Sequence, residues 1–346
     1  MSELRFLNPH AIGAGGTSVI RCHSLMPWIV YFIAGGGTFL PGAGLIAVAV
    51  ASQAIFARRW VGVLSVAMAV VGIVLVAISA EAVAWWIYLI WIACTLAWFL
   101  RGISKSCRVK SMIDLAELAV TVWAAAIAIS FQLRPTLPPA AFARLYIIGD
   151  SVSAGIGSEH GSTWPRILGA EHRVRVIDLS RAGATIADAT RHLQSQPLAD
   201  GLVLLEIGGN DTIGHARADQ FGRDLDALAK RVGGPSRQVV MLELPLFPGD
   251  NAYGVAQRRV ASQYGFVLIP RRYFAQMLAA PGATLDGIHL SEAGHRLMAR
   301  MVWEMLGPSL RVAAPVIYRD RTSLPSPIPS SRRVGSMSAR KRRPSV

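Results

Sequence analysis

Four short stretches of this chain carry residue types that could do acyl chemistry. The first is Tyr146-Ile147-Ile148-Gly149-Asp150-Ser151-Val152-Ser153-Ala154-Gly155, an apolar run that breaks at Gly149 and hands a serine to the turn beyond. A serine hydroxyl is a poor nucleophile until a base takes its proton, and attack on a carbonyl needs donors for the oxyanion that forms. The chain must therefore supply a base and an oxyanion hole. It offers Gly183 in a second turn, Gly208-Gly209-Asn210-Asp211 at the end of a strand, and Asp286-Gly287-Ile288-His289 near the far end of the folded region. No HExxH, CxxC pair or carboxylate–histidine cluster points to a metal, and no cofactor is expected.

These residues need a frame that brings distant loops together. Candidate strands run over 145–148, 174–179, 202–207, 239–244 and 266–269, and candidate helices over 164–170, 186–194, 216–232, 253–264 and 292–306. The strands are apolar on consecutive residues, as in a parallel sheet covered on both faces. Thr185 with Asp188 reads as a capping box, and Ser291 as the cap of the last helix. The alternation is βαβ order, a doubly wound α/β domain. Ser151, Gly183 and Asn210 then each follow the carboxyl end of one of the first three strands, and His289 follows the last. That edge is where open α/β sheets bind ligands.

Residues 144–307 resemble the SGNH (GDSL-type) hydrolase family. Its blocks appear in order as Gly149-Asp150-Ser151, Gly183, Gly208-Gly209-Asn210-Asp211 and Asp286-Gly287-Ile288-His289. The resemblance implies a flavodoxin-like three-layer α/β/α fold and ester or thioester hydrolysis, or acyl transfer, through an acyl-serine. It makes Ser151 the nucleophile, His289 the base, and Asp286 the residue that orients and polarises His289. Gly183, Asn210 and the Ser151 backbone N–H become the oxyanion donors. Asp150 and Asp211 read as carboxylates that fix their loops, and Ser153 as a turn residue. Trp164 reads either as lining the site or as a packed helix start. His160, His172, His192, His215 and His295 lack any such relation to a motif carboxylate and read mostly as exposed.

The first third of the chain differs in kind. The chain has 346 residues with 16% charged, and a mean hydropathy of +0.40. The apolar excess lies in 1–134, where uncharged runs cover 61–79 and 82–100, and a third run, 113–133, contains only Asp114 and Glu117. Each run approaches the ~20 residues that cross a bilayer. Trp85, Trp86, Trp91 and Trp98 fit a membrane helix with aromatic residues near its ends. The stretch 24–57 is broken by Gly35-Gly36-Gly37 and Pro41-Gly42, so four or five spans are expected. Asp114 and Glu117 read as interfacial charges rather than a proton relay.

Arg101, Lys105, Arg108 and Lys110 share one loop, whereas the Ala80-Glu81 turn has no basic residue. The positive-inside rule puts the basic loop in the cytoplasm and everything after Arg134 outside. In a bacterium that is a multi-pass protein of the inner (plasma) membrane with its domain facing the periplasm. Of the net charge of +14, residues 135–307 hold only +1 (17 basic, 16 acidic), so the basic balance belongs to the membrane flanks and tail. That argues against a nucleic-acid partner. The cysteines are Cys22, Cys94 and Cys107, none in 135–307.

The organisation expected is an N-terminal segment 1–23, a transmembrane region 24–133, a stiff proline-rich linker 134–143, the hydrolase domain 144–307, and a disordered basic tail 308–346. The function expected is a membrane-anchored serine esterase. Its substrates would be O-acyl esters, either acetyl groups on cell-envelope glycans or lipid esters at the membrane surface. Transfer of the acyl group to a glycan hydroxyl is the alternative reading, and a non-catalytic ligand-binding module a second one. Oligomeric state is not legible.

Overall fold

The computed structural model describes residues 29, 32–56, 59–137, 141–156 and 161–311. The N-terminal segment 1–23, His160 and nearly all of the basic tail lie outside the described residues. Four helices come first: α1 Phe39–Ile55, α2 Arg59–Ala77, α3 Trp85–Leu100 and α4 Cys107–Ser130. Three stretches, Trp60–Ala77, Trp85–Ile103 and Cys107–Ser130, are long and apolar enough to cross a membrane. Helix α1, at 17 residues, is shorter. The glycines at 35–37 form the turn before it.

Helix α1 packs against α2 and α4, and α3 against α4. Gly42 and Gly72 allow the α1–α2 contact: a Cβ on either would meet backbone oxygen of the other helix at 2.7 Å. Two expectations need correction here. Trp85 is 72% exposed and suits an interfacial position, but Trp91 and Trp98 are each only 3% exposed and point into the bundle. Glu117 is not interfacial either. It is fully buried, and its Oε1 accepts from Trp91 Nε1 at 3.1 Å and Thr95 Oγ1 at 3.0 Å. Its place on the helix faces the bundle, where only hydrogen bonds make a carboxyl tolerable. Asp114 pairs with Arg101 at 2.5 Å.

The second part is built on strands β1 Leu145–Gly149, β2 Val176–Asp178, β3 Gly201–Glu206, β4 Arg237–Leu242 and β5 Val267–Ile269. All pair in parallel, in the order β2-β1-β3-β4-β5. Every residue of β1 and β3 is buried, as their unbroken apolar sequences require of a sheet covered on both faces. Between them lie α5 Ser151–Ala154, α6 Trp164–His172, α7 Ile186–His192, α8 Gly209–Ile213, α9 Ala218–Val232 and α10 Asn251–Tyr264, and after β5 come α11 Arg271–Leu278 and α12 Glu292–Leu306. One apolar core joins α7, α9 and α10 to one face of the sheet, and another joins α6, α11 and α12 to the other. This is the three-layer α/β/α fold expected, with the strand order of flavodoxin-like sheets. The capping box of Thr185 and Asp188 and the Ser291 cap are both present.

The two parts meet at the turn 79–84, between α2 and α3. Glu81, fully buried, pairs with Arg258 Nη2 at 2.6 Å. Arg258 Nε also contacts Glu243 at 2.7 Å, and Arg271 Nη2 contacts Glu243 at 2.6 Å. Arg258 Nη1 donates to the Ala82 carbonyl at 2.9 Å, and Arg271 Nη1 donates to that of Ala80. Asn251 Nδ2 donates to the Glu81 carbonyl at 2.7 Å, and Gln132 Nε2 to the Glu81 carboxylate at 3.0 Å. Burial pushes the Glu243 carboxyl up, but the Arg271 and Arg258 guanidiniums outweigh it and hold it down at about 2. Glu243 directly follows β4 and Arg271 opens α11 just after β5. The carboxyl edge of the sheet therefore faces the turn of the apolar helices.

Candidate active site

Strand order reverses between β1 and β3, so the loops leaving these strands diverge and open a crevice at their carboxyl ends. Ser151 follows β1 and Asn210 follows β3. The nucleophile turn is fixed by its own sequence. Asp150 N donates to the Glu206 carbonyl at 3.2 Å, holding the end of β1 on β3. Asp150 Oδ1 accepts from Val152 N at 3.1 Å and caps α5, whose first residue is Ser151. Gly149 must be glycine, because a Cβ there would meet Ser153 Oγ at 2.5 Å.

The loop after β2 is tied to the same place by Arg181 N, which donates to the Gly149 carbonyl at 3.1 Å. Gly183 follows with φ +74°, and a Cβ added there would meet nothing within 4 Å. The residue adopts a left-handed backbone and faces open space. Asn210 reaches the same loop, donating from Nδ2 to the Ala184 carbonyl at 3.0 Å. The second N–H of that amide has no assigned partner among the described residues. Asp211 anchors the other side, its Oδ2 accepting from Ile186 N at 3.0 Å.

Asp286 and His289 form a self-contained loop before α12. Asp286 Oδ1 accepts from Ile288 N at 3.0 Å and His289 N at 2.8 Å, and Asp286 Oδ2 lies 2.6 Å from His289 Nδ1. Leu285 N closes the loop on the His289 carbonyl at 2.8 Å. The hydrogen bonds from the His289 ring and from the His289 and Ile288 N–H groups hold the Asp286 carboxyl far below the usual range. An Nδ1–H given to Asp286 leaves Nε2 as the lone-pair nitrogen. Ser151 Oγ makes no hydrogen bond among the described residues.

A model of the GDSL-like Lipase/Acylhydrolase family matches residues 147–297. This stretch is a GDSL-like lipase/acylhydrolase domain. The chain is thus a carboxylic ester hydrolase. It is 26% identical to Esterase TesA of Pseudomonas aeruginosa over 185 residues, 49% of this chain and 91% of that protein. It is 25% identical to Thioesterase 1/protease 1/lysophospholipase L1 of Escherichia coli K12 over 190 residues, 51% of this chain and 90% of that protein. The crystal structure of the psychrotrophic esterase EstA from Pseudoalteromonas sp. aligns with a TM-score of 0.43 at 18% identity, over 48% of this chain and 97% of that one. The likeness spans about half of the chain.

Beneath Ser151 the GDSL domain holds a polar cluster that sequence reasoning missed. Ser153, read as a turn residue, is fully buried and donates to Glu206 Oε2 at 2.6 Å. It accepts from Trp164 Nε1 at 3.2 Å. Trp164 is fully buried, so it buttresses the turn rather than lining the site. Its backbone N–H donates to His295 Nδ1 at 3.2 Å, which makes His295 a core residue rather than an exposed one. Burial, with the neighbouring Asp150 charge second, raises the Glu206 carboxyl well above its usual range. Burial likewise raises Asp150 to about 6 and Asp211 to about 6. The visible signal was a lone glutamate in the otherwise apolar run of β3.

Proposed function

We propose that this chain is a membrane-anchored serine esterase acting on acyl esters at the membrane surface, with Ser151, His289 and Asp286 as its catalytic residues. The observation that carries the mechanism is the 2.6 Å contact of His289 Nδ1 with Asp286. His289 Nε2 takes the Ser151 hydroxyl proton as Oγ attacks the ester carbonyl carbon. The oxyanion is met by N–H donors from Ser151, Gly183 and Asn210, and losing one such donor typically costs about 2.7–4 kcal/mol. Collapse expels the alcohol, which takes the proton from His289. Water, deprotonated by the same nitrogen, then releases the acid and restores Ser151.

Three apolar helices of membrane-spanning length support the anchoring. Orientation has support of its own, because the basic loop 101–110 lies at the end of α3 away from the domain while the turn 79–84 meets the domain. The positive-inside rule then favours a periplasmic domain. A sheet edge that faces the apolar helices favours lipid esters over acetyl esters of soluble glycans.

The test is Ser151→Ala and His289→Ala in the full chain, assayed on an ester panel with and without a sugar acceptor. Each variant should abolish nearly all activity, and the pair should lose no more than either alone, because nucleophile and base act as a unit. A fluorophosphonate should label wild type at Ser151 and not Ser151→Ala. A folded wild type that takes no label and cleaves no ester would make the domain a binding module. Acyl transfer to sugar in preference to water would make it an acyltransferase.

A further inference from the structure

Helices α2 and α3 both pack in the bundle, but on α1 and α4 respectively rather than on each other. The space between them is a cavity of about 910 Å³, within the range of pockets that enclose small ligands. Its length is set by α3, which lines it from Trp85 to Phe99, a rise of about 21 Å. Ile73 and Val76 of α2 form the facing wall, and Ile46 of α1 closes the back. The roof comes from the GDSL domain: Asn251, Ala252 and Val255 of α10, with Gly249 before them. Polar groups gather under that roof, where Tyr88 Oη and Asn251 Nδ2 both donate to the Glu81 carbonyl, at 3.2 and 2.7 Å. Below them the lining is nearly all hydrocarbon and aromatic.

The roof also adjoins the catalytic edge. Tyr253, between Ala252 and Val255 on α10, donates its hydroxyl to the Ala216 carbonyl, just past the loop that carries Asn210. The segment leading into α10 leaves β4, which is two strand spacings, about 10 Å, from β1. The cavity thus runs from the level of the apolar helices up to the segment after β4, two strand spacings from the strand that precedes Ser151.

We propose that this cleft holds the hydrocarbon chain of a membrane-lipid acyl ester, with the ester end at the Asn251 roof and the chain end toward Phe99. Lipid that merely fills a gap between helices would need no roof from a hydrolase domain and no polar cluster at one end. The proposal builds on Ser151 as nucleophile, and its test separates the two. One arm uses full-length Ser151→Ala in phosphatidylcholine vesicles carrying a trace of a diazirine-bearing acyl ester. A diazirine near the carbonyl should label 251–255, and one at the methyl end should label 92–99. Labelling confined to outward residues such as Leu64 and Val70, with none on Ala252 or Val255, would overturn the proposal whatever the serine does. The second arm measures chain-length selectivity in Val255→Trp and Ala252→Phe. The ratio of kcat/KM for a palmitoyl ester to that for a butyryl ester should fall by roughly tenfold or more. An unchanged ratio in folded variants would equally refute the acyl-chain site. Absence of all ester cleavage and of fluorophosphonate labelling in wild type would refute the serine reading, while the labelling arm still judges the cleft.

Discussion

The junction of Glu81, Arg258, Glu243 and Arg271 makes a demanding prediction. The two carboxylates are fully buried, as is Arg271, and Arg258 is nearly so. Ions taken out of water pay several kcal/mol each, so the cluster holds only while every charge keeps its partner. Arg258→Met would leave Glu81 with the Gln132 amide and without its paired guanidinium, and should cost about 3–5 kcal/mol. Glu81→Gln leaves Arg258 with Glu243 at 2.7 Å, so its cost should be smaller. The double variant removes both halves of a 2.6 Å ion pair and should be more stable than the two single losses added together. The coupling expected for contacting charges is about 0.5–3 kcal/mol, and independent sites add within about 0.5 kcal/mol. Thermal or urea unfolding of the full chain in one detergent would measure all four corners of the cycle. Additivity within error would mean that Glu81 and Arg258 do not meet, and that the turn 79–84 does not dock on the domain. The same junction predicts acid sensitivity. The folded Glu243 carboxyl lies at about 2, below its ordinary 4.5, so its contribution is present above that ordinary value and lost as pH falls toward 2.

The remaining predictions concern the GDSL domain and its topology. Asp150 is raised to about 6 chiefly by burial, so the folded state favours its neutral form, and that preference is lost as pH rises from about 4 to 6. Asp150→Asn should therefore gain stability over wild type between pH 4.5 and 7.5, on the order of 2 kcal/mol, and a pH-independent difference in melting temperature would contradict this. Glu206→Gln should preserve fold and most activity, since a neutral side chain replaces a carboxyl already pushed toward neutrality; Glu206→Ala should lower kcat by loosening Ser153 and Trp164 under the nucleophile turn. If Gln is as damaging as Ala, Glu206 acts as a charge instead. A reporter fused after Leu133 should be active as alkaline phosphatase and dark as a cytoplasmic fluorescent protein, and the reverse pattern would invert the topology.

The α/β part was readable because its signals are local. Consecutive apolar residues mark covered parallel strands, and Thr185 with Asp188 marks a helix start. The short helices α5 and α8 escaped notice because each is little more than a turn that follows a strand. Helix α11 was missed because Arg271-Arg272 opens it, and arginines read as surface until a carboxylate such as Glu243 is known to face them. The buried roles of Glu206, Ser153 and His295 were illegible for the same reason: whether a polar side chain points inward depends on its partners, and these are 11 to 131 residues away in sequence. Trp91 and Glu117 show the matching limit in the apolar region, where composition gives a membrane helix but not which face meets its neighbours.

The sheet edge divides its labour by strand. The loops after β1, β2 and β3 carry Ser151, Gly183 and Asn210, while the segments after β4 and β5 carry Glu243 and Arg271, which grip the turn between α2 and α3. Esterase TesA matches over 91% of its own length but only 49% of this chain. The docking half of the edge depends on the apolar helices, since Glu81, Ala80 and Ala82 supply its partners. With the helices read as membrane spans, the consequence is directional. A ligand crevice that would face open solvent in a free-standing domain is then held beside the bilayer, on the side where the turn 79–84 docks. Gly254 shows how tightly that geometry is held: a Cβ there would meet Ala82 Cβ at 2.6 Å, so the domain rests on the turn by close packing as well as by charge.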